Sequence, residues 1–394
     1  MPVINRIAAF HDEMTAWRRD LHQHPELALQ EHRTSQVVQD LLRGFGVDEV
    51  HAGLAGTGVV GVIRGSVPGD GPGDAIGLRA DMDALPIHEE TGAAYASQAP
   101  GVMHACGHDG HTAMLLGAAK YLAETRNFAG IVHVIFQPAE ENKGGGGIMV
   151  REGLFERFPM RQVFGMHNWP ALPEGVFAWR DGPVMAAVAD IEITVTGRGA
   201  HGAQPHMGVD PVVVSAAIVQ ALQSIVARSV EPVEAGVVTI GSIQGGHIYN
   251  VIPETVRMLG TARWFSPAVG DVLEAGVHRL ASHIAAGFGA EAEVVFRRTY
   301  PATVNDPAAM ALARHAAVTV QGEDAVRHMD KPTMGGEDFS FMLNAKQGAY
   351  IMLGARRTPE DAMVHHPRYD FNDAILPVGA SYWATLAEEL LPRG

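Results

Sequence analysis

The segment best suited to chemistry is 102–111, which contains three histidines and the only cysteine of the chain. Cys106 and His108 lie two residues apart, directly before a helix predicted to begin at Asp109. Thiolate and imidazole are both good ligands for zinc and similar divalent ions. The backbone N–H groups at a helix start also favour the thiolate form of cysteine. This spacing indicates a metal site, although Cys106 could instead be a small core residue and the histidines part of the helix start.

Glu140 and Glu141 follow a predicted strand that covers 131–136. Adjacent carboxylates on an extended segment point in opposite directions. One of them can therefore bind a metal while the other acts as a general base towards water. Exposed pairs of glutamates are common, so this pair depends on its neighbours for its interpretation.

Two further segments contain histidine close to possible partners. His167 directly follows an apolar run, and His365 and His366 lie in the segment 364–373. Either segment alone would suit a purely structural role. In open α/β sheets, however, active sites form beyond the carboxyl ends of the strands. Because most of these groups follow predicted strands, we expect them to converge.

Asp81 and Asp83 come after the predicted strand 75–78. Carboxylates at such a position can accept a hydrogen bond from a ligand histidine and so orient its ring. We therefore predict that these two residues support the metal ligands rather than bind the metal themselves.

The middle of the chain holds a second set of candidates. Glycines around His201 allow a tight turn that presents its side chain. Asn250 and Arg263 could hydrogen-bond a carboxylate, for which the arginine geometry is well suited. Arg263 could equally be an ordinary residue of a surface strand.

These candidates require a scaffold in which strands and helices alternate. Such alternation covers the first part of the chain and favours a largely parallel α/β sheet. The predicted helices there are 5–21, 35–44, 109–125 and a short one after Gly147, and the predicted strands are 58–64, 75–78, 131–136 and 163–166.

The pattern changes near residue 187. Apolar Ile191, Ile193 and Val195 alternate with polar residues, which indicates a half-buried strand. The predicted elements that follow are helix 210–228, strands 237–243 and 255–265, helix 269–287 and strand 291–298. This β-α-β-β-α-β order is that of a ferredoxin-like module. We therefore predict a catalytic domain formed by 1–186 and 300–394, with an inserted lid or dimerisation domain at 187–299.

Composition excludes several classes of function. The net charge of −15, from 29 basic and 44 acidic residues, argues against a nucleic-acid partner. No uninterrupted apolar stretch reaches about 18 residues, so we predict no membrane span. A single cysteine cannot form a disulfide within the chain, and the first residues lack the order of a signal peptide. We therefore predict a cytoplasmic protein.

Taken together, the motifs resemble the aminoacylase and hippurate hydrolase branch of the dinuclear metallopeptidases. That branch includes plant hydrolases of auxin–amino acid conjugates and bacterial N-acetyl-amino-acid deacetylases. The resemblance extends over nearly the whole chain. It rests on 104–111, the pair Glu140-Glu141, 165–170, the His201 segment, 250–253, 335–339 and 365–373.

The resemblance implies a role for each candidate. Glu140 would be the catalytic base, His201 would reach the active site of a partner subunit, and Asn250 and Arg263 would hold the free carboxylate of the substrate. His366 stays an alternative to its neighbour, although the spacing to Asn372 favours the first of the two. The implied ligands of one or two divalent ions (Zn, Mn, Co or Ni) are Cys106, His108, Glu141, His167 and His365.

The implied enzyme hydrolyses the amide bond of N-acyl amino acids. It is a homodimer paired through the lid, or a homo-oligomer built from such dimers. The alternative is a metal-dependent dipeptidase or carboxypeptidase of the same superfamily. A dipeptidase would need an acidic anchor for the free amine of its substrate, for which Glu337 or Asp338 are candidates. A non-enzymatic metal-binding protein is disfavoured, because binding a metal does not require a second carboxylate such as Glu140.

Overall fold

The computed structural model describes residues 3–69 and 71–394. Its contacts divide the chain into two compact units. The first unit comprises Met1–Val184, Thr303–Pro332 and Glu337–Gly394, and the second comprises Met185–Ala302 and Thr333–Gly336.

Strands and helices are numbered in chain order. The strands are β1 Glu49–Leu54, β2 Gly58–Arg64, β3 Ala75–Asp81, β4 Ile131–Gln137, β5 Gln162–Pro173, β6 Phe177–Trp179, β7 Gly182–Met185, β8 Ala187–Thr196, β9 Ala200–His201, β10 Gly236–Gln244, β11 Val251–Ile252, β12 Thr255–Trp264, β13 Glu291–Tyr300, β14 Thr303–Asn305, β15 Val326–His328 and β16 Gln347–Arg356. The α-helices are α1 Asn5–Ala8, α2 His11–Gln23, α3 His32–Gly44, α4 His108–Thr125, α5 Gly145–Arg151, α6 Leu154–Arg157, α7 Pro211–Arg228, α8 Pro267–Gly287, α9 Pro307–Gln321, α10 Ser340–Ala345 and α11 Leu376–Leu390.

The first unit is built on an eight-stranded sheet with the order β1-β2-β4-β3-β5-β16-β6-β15. The inner strands β4, β3, β5 and β16 are parallel, whereas β1 and β2 at one edge run antiparallel. Every residue of β3 is buried, as expected for a strand covered on both faces. This sheet confirms the predicted mixed, mostly parallel α/β architecture.

The helix predicted over 5–21 is two helices, α1 and α2, in the structure. The N–H of Phe10 donates to the carbonyl of Ile7 at 2.9 Å, a tight turn that ends α1. Because of this turn, both Ile7 and Phe10 are buried. The apolar pattern continues across the break, so periodicity alone could not locate it.

The strand predicted over 75–78 continues to Asp81. The last three residues of the strand include Arg79 and Asp81, which are both buried and form an ion pair at 2.7 Å. A prediction based on hydrophobicity ended the strand too early, because Arg79 and Asp81 are charged. Its end now lies beside the end of β4, where Asp81 is paired with Gln137.

The second unit contains an antiparallel sheet with the order β10-β12-β8-β13. Ile191, Ile193 and Val195 of β8 are buried and contribute to a core shared with helices α7 and α8. Helix α7 begins with Pro211 after an Asp210 cap that accepts the N–H of Val212. The β-α-β-β-α-β order predicted for this region is confirmed.

Helix α7 is the one helix among the described residues that is long and apolar enough to cross a membrane, with a mean hydropathy of 1.5. Length and composition are the only properties that support such a role. Val214, Ile218, Leu222 and Ile225 on its inner face are fully buried in the core of the second unit. Packing within that unit therefore explains part of its apolar character, while Val212 and Val213 of the same helix are exposed.

Candidate metal centre

The predicted donor residues of the first unit lie at the carboxyl edge of its sheet. Strands β3 and β4 end side by side at Asp81 and Gln137. His167 lies on β5 in register with Met352 of β16. The loop before α4 and the segment with His365 are drawn to the same edge, because the N–H of His365 donates to the carbonyl of Ala105 at 2.7 Å.

Gly107 separates Cys106 from His108 and adopts a left-handed conformation with φ of 90°. A Cβ atom at this position would lie 2.4 Å from Nδ2 of Asn168 and 2.6 Å from the hydroxyl of Tyr369. Only glycine combines this backbone angle with so little space. The tight passage directs Cys106 and His108, on either side of it, into one buried space.

Two groups of possible ligand atoms share the Cys106 sulfur. In each group the atoms lie within 4.8 Å of one another. Sγ of Cys106 is 3.3 Å from Nε2 of His167, and Oε1 of Glu141 is 3.4 Å from Nε2 of His365. The first group is Cys106, His108 and His167, and the second is Cys106, Glu141 and His365.

His366 has a different position from its neighbour. Its Nδ1 atom accepts the N–H of Arg368 at 3.0 Å, so this nitrogen is engaged by the local backbone. Among the described residues, His366 belongs to none of the groups of donor atoms that could surround an ion. The geometry therefore favours His365 as the candidate ligand.

The donor set fits divalent metal ions. Nε2 of His108 and Oε1 of Glu141, which lie 3.8 Å apart, are buried without a hydrogen bond of good geometry in the described part of the chain. Buried polar atoms are normally paired, so atoms left without a hydrogen bond that converge on one space point to a missing partner. A mixture of sulfur, imidazole and carboxylate donors is typical of transition-metal sites.

Neighbouring groups orient the histidine rings. Nδ1 of His167 donates to the carbonyl of Asn168 at 2.5 Å, which leaves Nε2 facing Cys106. Oδ1 of Asp83 lies 3.3 Å from Nδ1 of His108, while the Nε2 atom of the same ring lies 3.8 Å from Glu141. Such outer contacts fix the tautomer that a metal ligand needs.

Asp81 contacts a residue for which the sequence predicted no role. Its Oδ1 is 2.6 Å from Nδ1 of His111, and Nε2 of that ring accepts the backbone N–H of Asn168 at 2.9 Å. Oδ2 of Asp81 is 3.8 Å from Nε2 of His108. Asp81 therefore supports the site mainly through His111. The position of His111 within the segment 102–111 was the only sequence feature that could have indicated a role for it.

The prediction that Glu140 and Glu141 lie on an extended segment is wrong. Strand β4 ends at Gln137, and the two glutamates occupy a turn that follows Pro138 and Ala139. Ala139 has a left-handed backbone with φ of 58°. Proline cannot donate to a strand ladder and a left-handed residue cannot extend one, so the strand stops here.

The turn still directs the two glutamates towards different neighbours. Oε1 of Glu140 accepts the N–H of Asp338 at 3.4 Å, and Glu140 forms a cluster of carboxylates with Glu337 and Asp338. Glu141 is instead grouped with Cys106 and His365. Both carboxylates also share a donor group with His108, so Glu140 lies directly beside the candidate ligand Glu141.

Negative charge dominates this buried space. Burial and the charge of Glu337 raise the pKa of Glu140, and burial and the charge of Glu141 raise the pKa of the Cys106 thiol. Burial lowers the pKa of His108, but the charge of Asp81 and the contact with Asp83 outweigh it and raise that pKa to about 10. A bound cation would offset this charge and stabilise the thiolate.

Buried Arg79 is a charged residue of the site that sequence reasoning missed. It donates to Gln137 at 2.9 Å, to Asp81 at 2.7 Å and to Glu337 at 3.0 Å. Asp338 accepts hydrogen bonds from Gln137 and from the backbone of Gly146, at 2.7 and 2.8 Å. An arginine inside an otherwise apolar strand was the sequence signal for this network.

The other three predicted site residues belong to the second unit. His201 is exposed on β9, which pairs with β11, and its Nδ1 accepts the N–H of Ala203 at 3.0 Å. Exposed Asn250 accepts the N–H of Gly202 through its backbone carbonyl at 2.8 Å. Arg263 is half-buried on β12 and donates to the carbonyl of Ala262 at 3.0 Å.

Comparison with known proteins finds similarity over essentially the whole chain. Residues 77–389 match the model of peptidase family M20/M25/M40. A hippurate hydrolase of Campylobacter jejuni is 38% identical over 392 residues, which cover 99% of this chain and 100% of the relative. An N-acetylcysteine deacetylase of Bacillus subtilis is 37% identical over 380 residues, which cover 96% of this chain and 97% of the relative.

Solved structures include a dinuclear metal-binding peptidase of the M20 family from Bacillus subtilis. It superimposes with a TM-score of 0.82 at 35% sequence identity, and the match covers 98% of this chain and 99% of that one.

Proposed function

The chain belongs to peptidase family M20/M25/M40, and from that premise we propose that it hydrolyses the amide bond of N-acyl amino acids. The products are a carboxylic acid and a free amino acid. The observation that carries the proposal is the pair of donor groups sharing Cys106, with the carboxylate of Glu140 within 4.8 Å of His108 and Glu141.

We assign divalent metal ions to the two donor groups. Cys106, His108, Glu141, His167 and His365 would hold one or two ions, and zinc, manganese, cobalt and nickel all suit these donors. When bound, such ions supply Lewis acidity that polarises an amide carbonyl and lowers the pKa of water.

Glu140 acts as the general base and then as the general acid. Its carboxylate accepts a proton from the attacking water while the water oxygen bonds to the amide carbon. The same proton then passes to the amide nitrogen as the carbon–nitrogen bond breaks. Burial and the nearby carboxylates raise the pKa of Glu140, and a raised pKa suits a group that must both take and return a proton near neutral pH.

The second unit supplies substrate contacts in this proposal. Because Nδ1 of His201 accepts a hydrogen bond, Nε2 of the neutral ring carries the hydrogen and can donate it to a carbonyl oxygen. Asn250 and Arg263 bind the free carboxylate of the amino acid. We further propose that 187–299 forms a lid through which two subunits pair, and that His201 acts on the partner's substrate, whereas 1–186 and 300–394 form the catalytic domain.

A small-molecule partner and a cytoplasmic location complete the proposal. A small N-acyl amino acid is the proposed partner, and a net charge of −15 disfavours binding to nucleic acid. We propose a soluble cytoplasmic enzyme.

A dipeptidase of the same family is the alternative, and the surroundings of Glu337 and Asp338 count against it. Both carboxylates are buried and already hydrogen-bonded to Arg79, at 3.0 and 3.2 Å. Glu337 also accepts the N–H of Phe339 at 2.9 Å. Neither carboxylate is therefore available as an anchor for the free amine of a peptide.

The proposal is tested with chelator-treated protein reloaded separately with zinc, manganese, cobalt and nickel. We expect release of free amino acid from N-benzoylglycine or N-acetyl amino acids with at least one metal, and none from the metal-free protein. Glycylglycine should be cleaved far more slowly. Rapid cleavage of glycylglycine without cleavage of acylated substrates would instead establish the dipeptidase, and inactivity on all of them would refute the proposal.

A further inference from the structure

Buried Glu31 lies directly beneath the turn that carries Glu140. It is fully buried, and its side chain accepts three hydrogen bonds. Oε1 accepts the backbone N–H of Leu29 at 3.0 Å and that of Ala139 at 2.9 Å, while Oε2 accepts the Thr57 hydroxyl at 2.6 Å. The residue is thus committed to backbone and hydroxyl donors and binds no cationic side chain through these contacts.

Glu31 accepts hydrogen bonds from two residues whose backbone conformation is energetically unfavourable. Leu29 and Ala139 are both left-handed, with φ of 64° and 58°, a conformation that side chains with a Cβ rarely adopt. Strained residues of this kind persist only where surrounding contacts hold them. Oε1 of Glu31 accepts the backbone N–H of both Leu29 and Ala139 and so helps to hold both in this conformation.

Besides the hydrogen bond by which the carbonyl of Ala139 accepts the N–H of Gly145 at 3.0 Å, the turn is held through its own N–H groups. Pro138 has no N–H, so Ala139 provides the first donor after strand β4, and Glu31 accepts it. The next two N–H groups, of Glu140 and Glu141, donate to Asp83 at 3.0 and 3.1 Å. Two buried carboxylates therefore hold three successive donors of the turn.

We propose that Glu31 is a positioning residue that holds Ala139 in the left-handed conformation and so aims Glu140 at the substrate. The inference rests on the proposed function, in which Glu140 moves the proton. Asp83 cannot be separated from the metal site because it also contacts His108. Glu31 has no described hydrogen bond to a proposed ligand, so its effect on the turn can be measured by itself.

The charge of the Glu31 carboxylate strengthens these hydrogen bonds, because an ionised acceptor binds donors more strongly than a neutral one. Burial raises the pKa of Glu31, whereas its hydrogen bonds with Thr57 and the backbone favour the ionised form. A glutamine has one accepting oxygen and one donating nitrogen in place of two accepting oxygens. Glu31→Gln therefore keeps the shape of the side chain but removes its charge, which weakens the oxygen that accepts from Leu29 and Ala139, while its nitrogen can donate to the Thr57 hydroxyl.

The first measurement is hydrogen exchange of the metal-free protein, which does not depend on activity. We expect the amide of Ala139 to exchange at least about tenfold faster in Glu31→Gln, since its acceptor is weakened. Under saturating metal, kcat should fall about tenfold or more while KM stays within about twofold, because misplacement of a catalytic group affects turnover more than binding.

Glu26→Gln is the matched control. Glu26 is another glutamate that accepts two backbone N–H groups, from Arg33 and Thr34 at 3.0 and 2.8 Å, and none of its described side-chain hydrogen bonds reaches the turn. This variant should leave kcat and the exchange at Ala139 unchanged. Ala139→Gly introduced into Glu31→Gln should recover part of kcat, because glycine adopts a positive φ without a steric penalty.

Unchanged exchange at Ala139 in Glu31→Gln overturns the inference, whatever happens to kcat. So does faster exchange with an unchanged kcat. If wild-type protein hydrolyses no N-acyl amino acid, the proposed function fails, while the exchange measurement still decides whether Glu31 holds the turn. Should Glu31→Gln not fold, Glu31→Asp is subjected to the same two measurements, because it keeps the charge but shortens the reach to Ala139.

Discussion

In the first unit, His108 lies beyond the carboxyl ends of the parallel strands, whereas His133 lies near the amino end of strand β4. Both side chains are buried, and none of their ring nitrogens has a hydrogen bond of good geometry within the described residues. His108 follows the carboxyl ends of the strands, near Asp83 and Glu141, and its pKa is raised to about 10. His133 lies near the start of β4 beside the ring of Phe158, at 5.6 Å between ring centres.

The pKa of His133 is lowered to about 4, by burial above all and further by the positive charge of Arg64. A cavity of about 600 Å³ opens beside it, also lined by Glu49 and His51. Burial, unpaired nitrogens and a cavity are thus all present at the edge opposite the candidate metal centre. The Cys106 thiol and the buried carboxylates around His108 distinguish the two sites, because Glu49 beside His133 is exposed. We therefore expect metal binding to depend on these groups.

The largest effect is expected at Glu140, the proposed base of the candidate metal centre. Glu140→Gln removes the group that accepts and returns the proton but none of the five proposed ligands. We expect kcat to fall on the order of 10²–10⁴-fold, the usual contribution of a positioned acid–base group. Steady-state kinetics with N-benzoylglycine, together with elemental analysis, measures turnover and metal content on the same preparation.

Retention of metal is the control in this experiment. If Glu140→Gln loses its metal, Glu140 acts as a ligand rather than as a base. Near wild-type turnover would exclude it from the proton transfer altogether.

The second prediction compares metal binding at the two edges directly. Cys106 belongs to both donor groups, so Cys106→Ala removes a ligand from each and should lower the bound metal to less than about a tenth of the wild-type content at limiting metal. His133→Ala also removes a buried potential ligand but should leave the metal content unchanged. Elemental analysis after dialysis provides the measurement.

A loss of metal in His133→Ala comparable to that in Cys106→Ala would show that buried histidine alone selects the ion. Equal metal content in wild type and Cys106→Ala would remove the cysteine from the ligand set. Circular dichroism of both variants establishes that each is folded.

The two histidines also illustrate which features of the site can be predicted from the sequence. Residue type and spacing selected Cys106, His108 and His167, and strand order explains why they meet, because parallel strands end at one edge. His133 lies inside a strand rather than beyond its end. Position relative to a strand end therefore differs between the two histidines, and this difference can be read from the sequence.

The turn conformation and its support could not be predicted in the same way. The left-handed backbone of Ala139 depends on a hydrogen bond to Glu31, which is 108 residues away along the chain. Arg79 joins Asp81 to Glu337, which are separated by more than half the chain. Local periodicity contains no information on such pairings, since they arise only when the tertiary structure brings the groups together.

The smallest effect is expected at His133, and it concerns stability. A histidine with a folded pKa of about 4 and an ordinary value of 6.5 is neutral in the folded protein between these pH values, whereas the unfolded chain binds a proton. The free energy of unfolding therefore rises with pH across this window, by at most about 3 kcal/mol in total. The contribution is complete above pH 6.5 and is lost as the pH falls towards 4.

His133→Gln cannot take up this proton, so its free energy of unfolding should depend less steeply on pH between 6.5 and 4 than that of the wild type. Urea unfolding at several pH values measures the two slopes. His315→Gln serves as the control, because that side chain is 72% exposed and loses little solvation on folding. Parallel wild-type and His133→Gln curves would mean that protonated His133 is tolerated in the fold. The contrast with His108 would then depend on the carboxylates alone and not on any penalty for charging a buried imidazole.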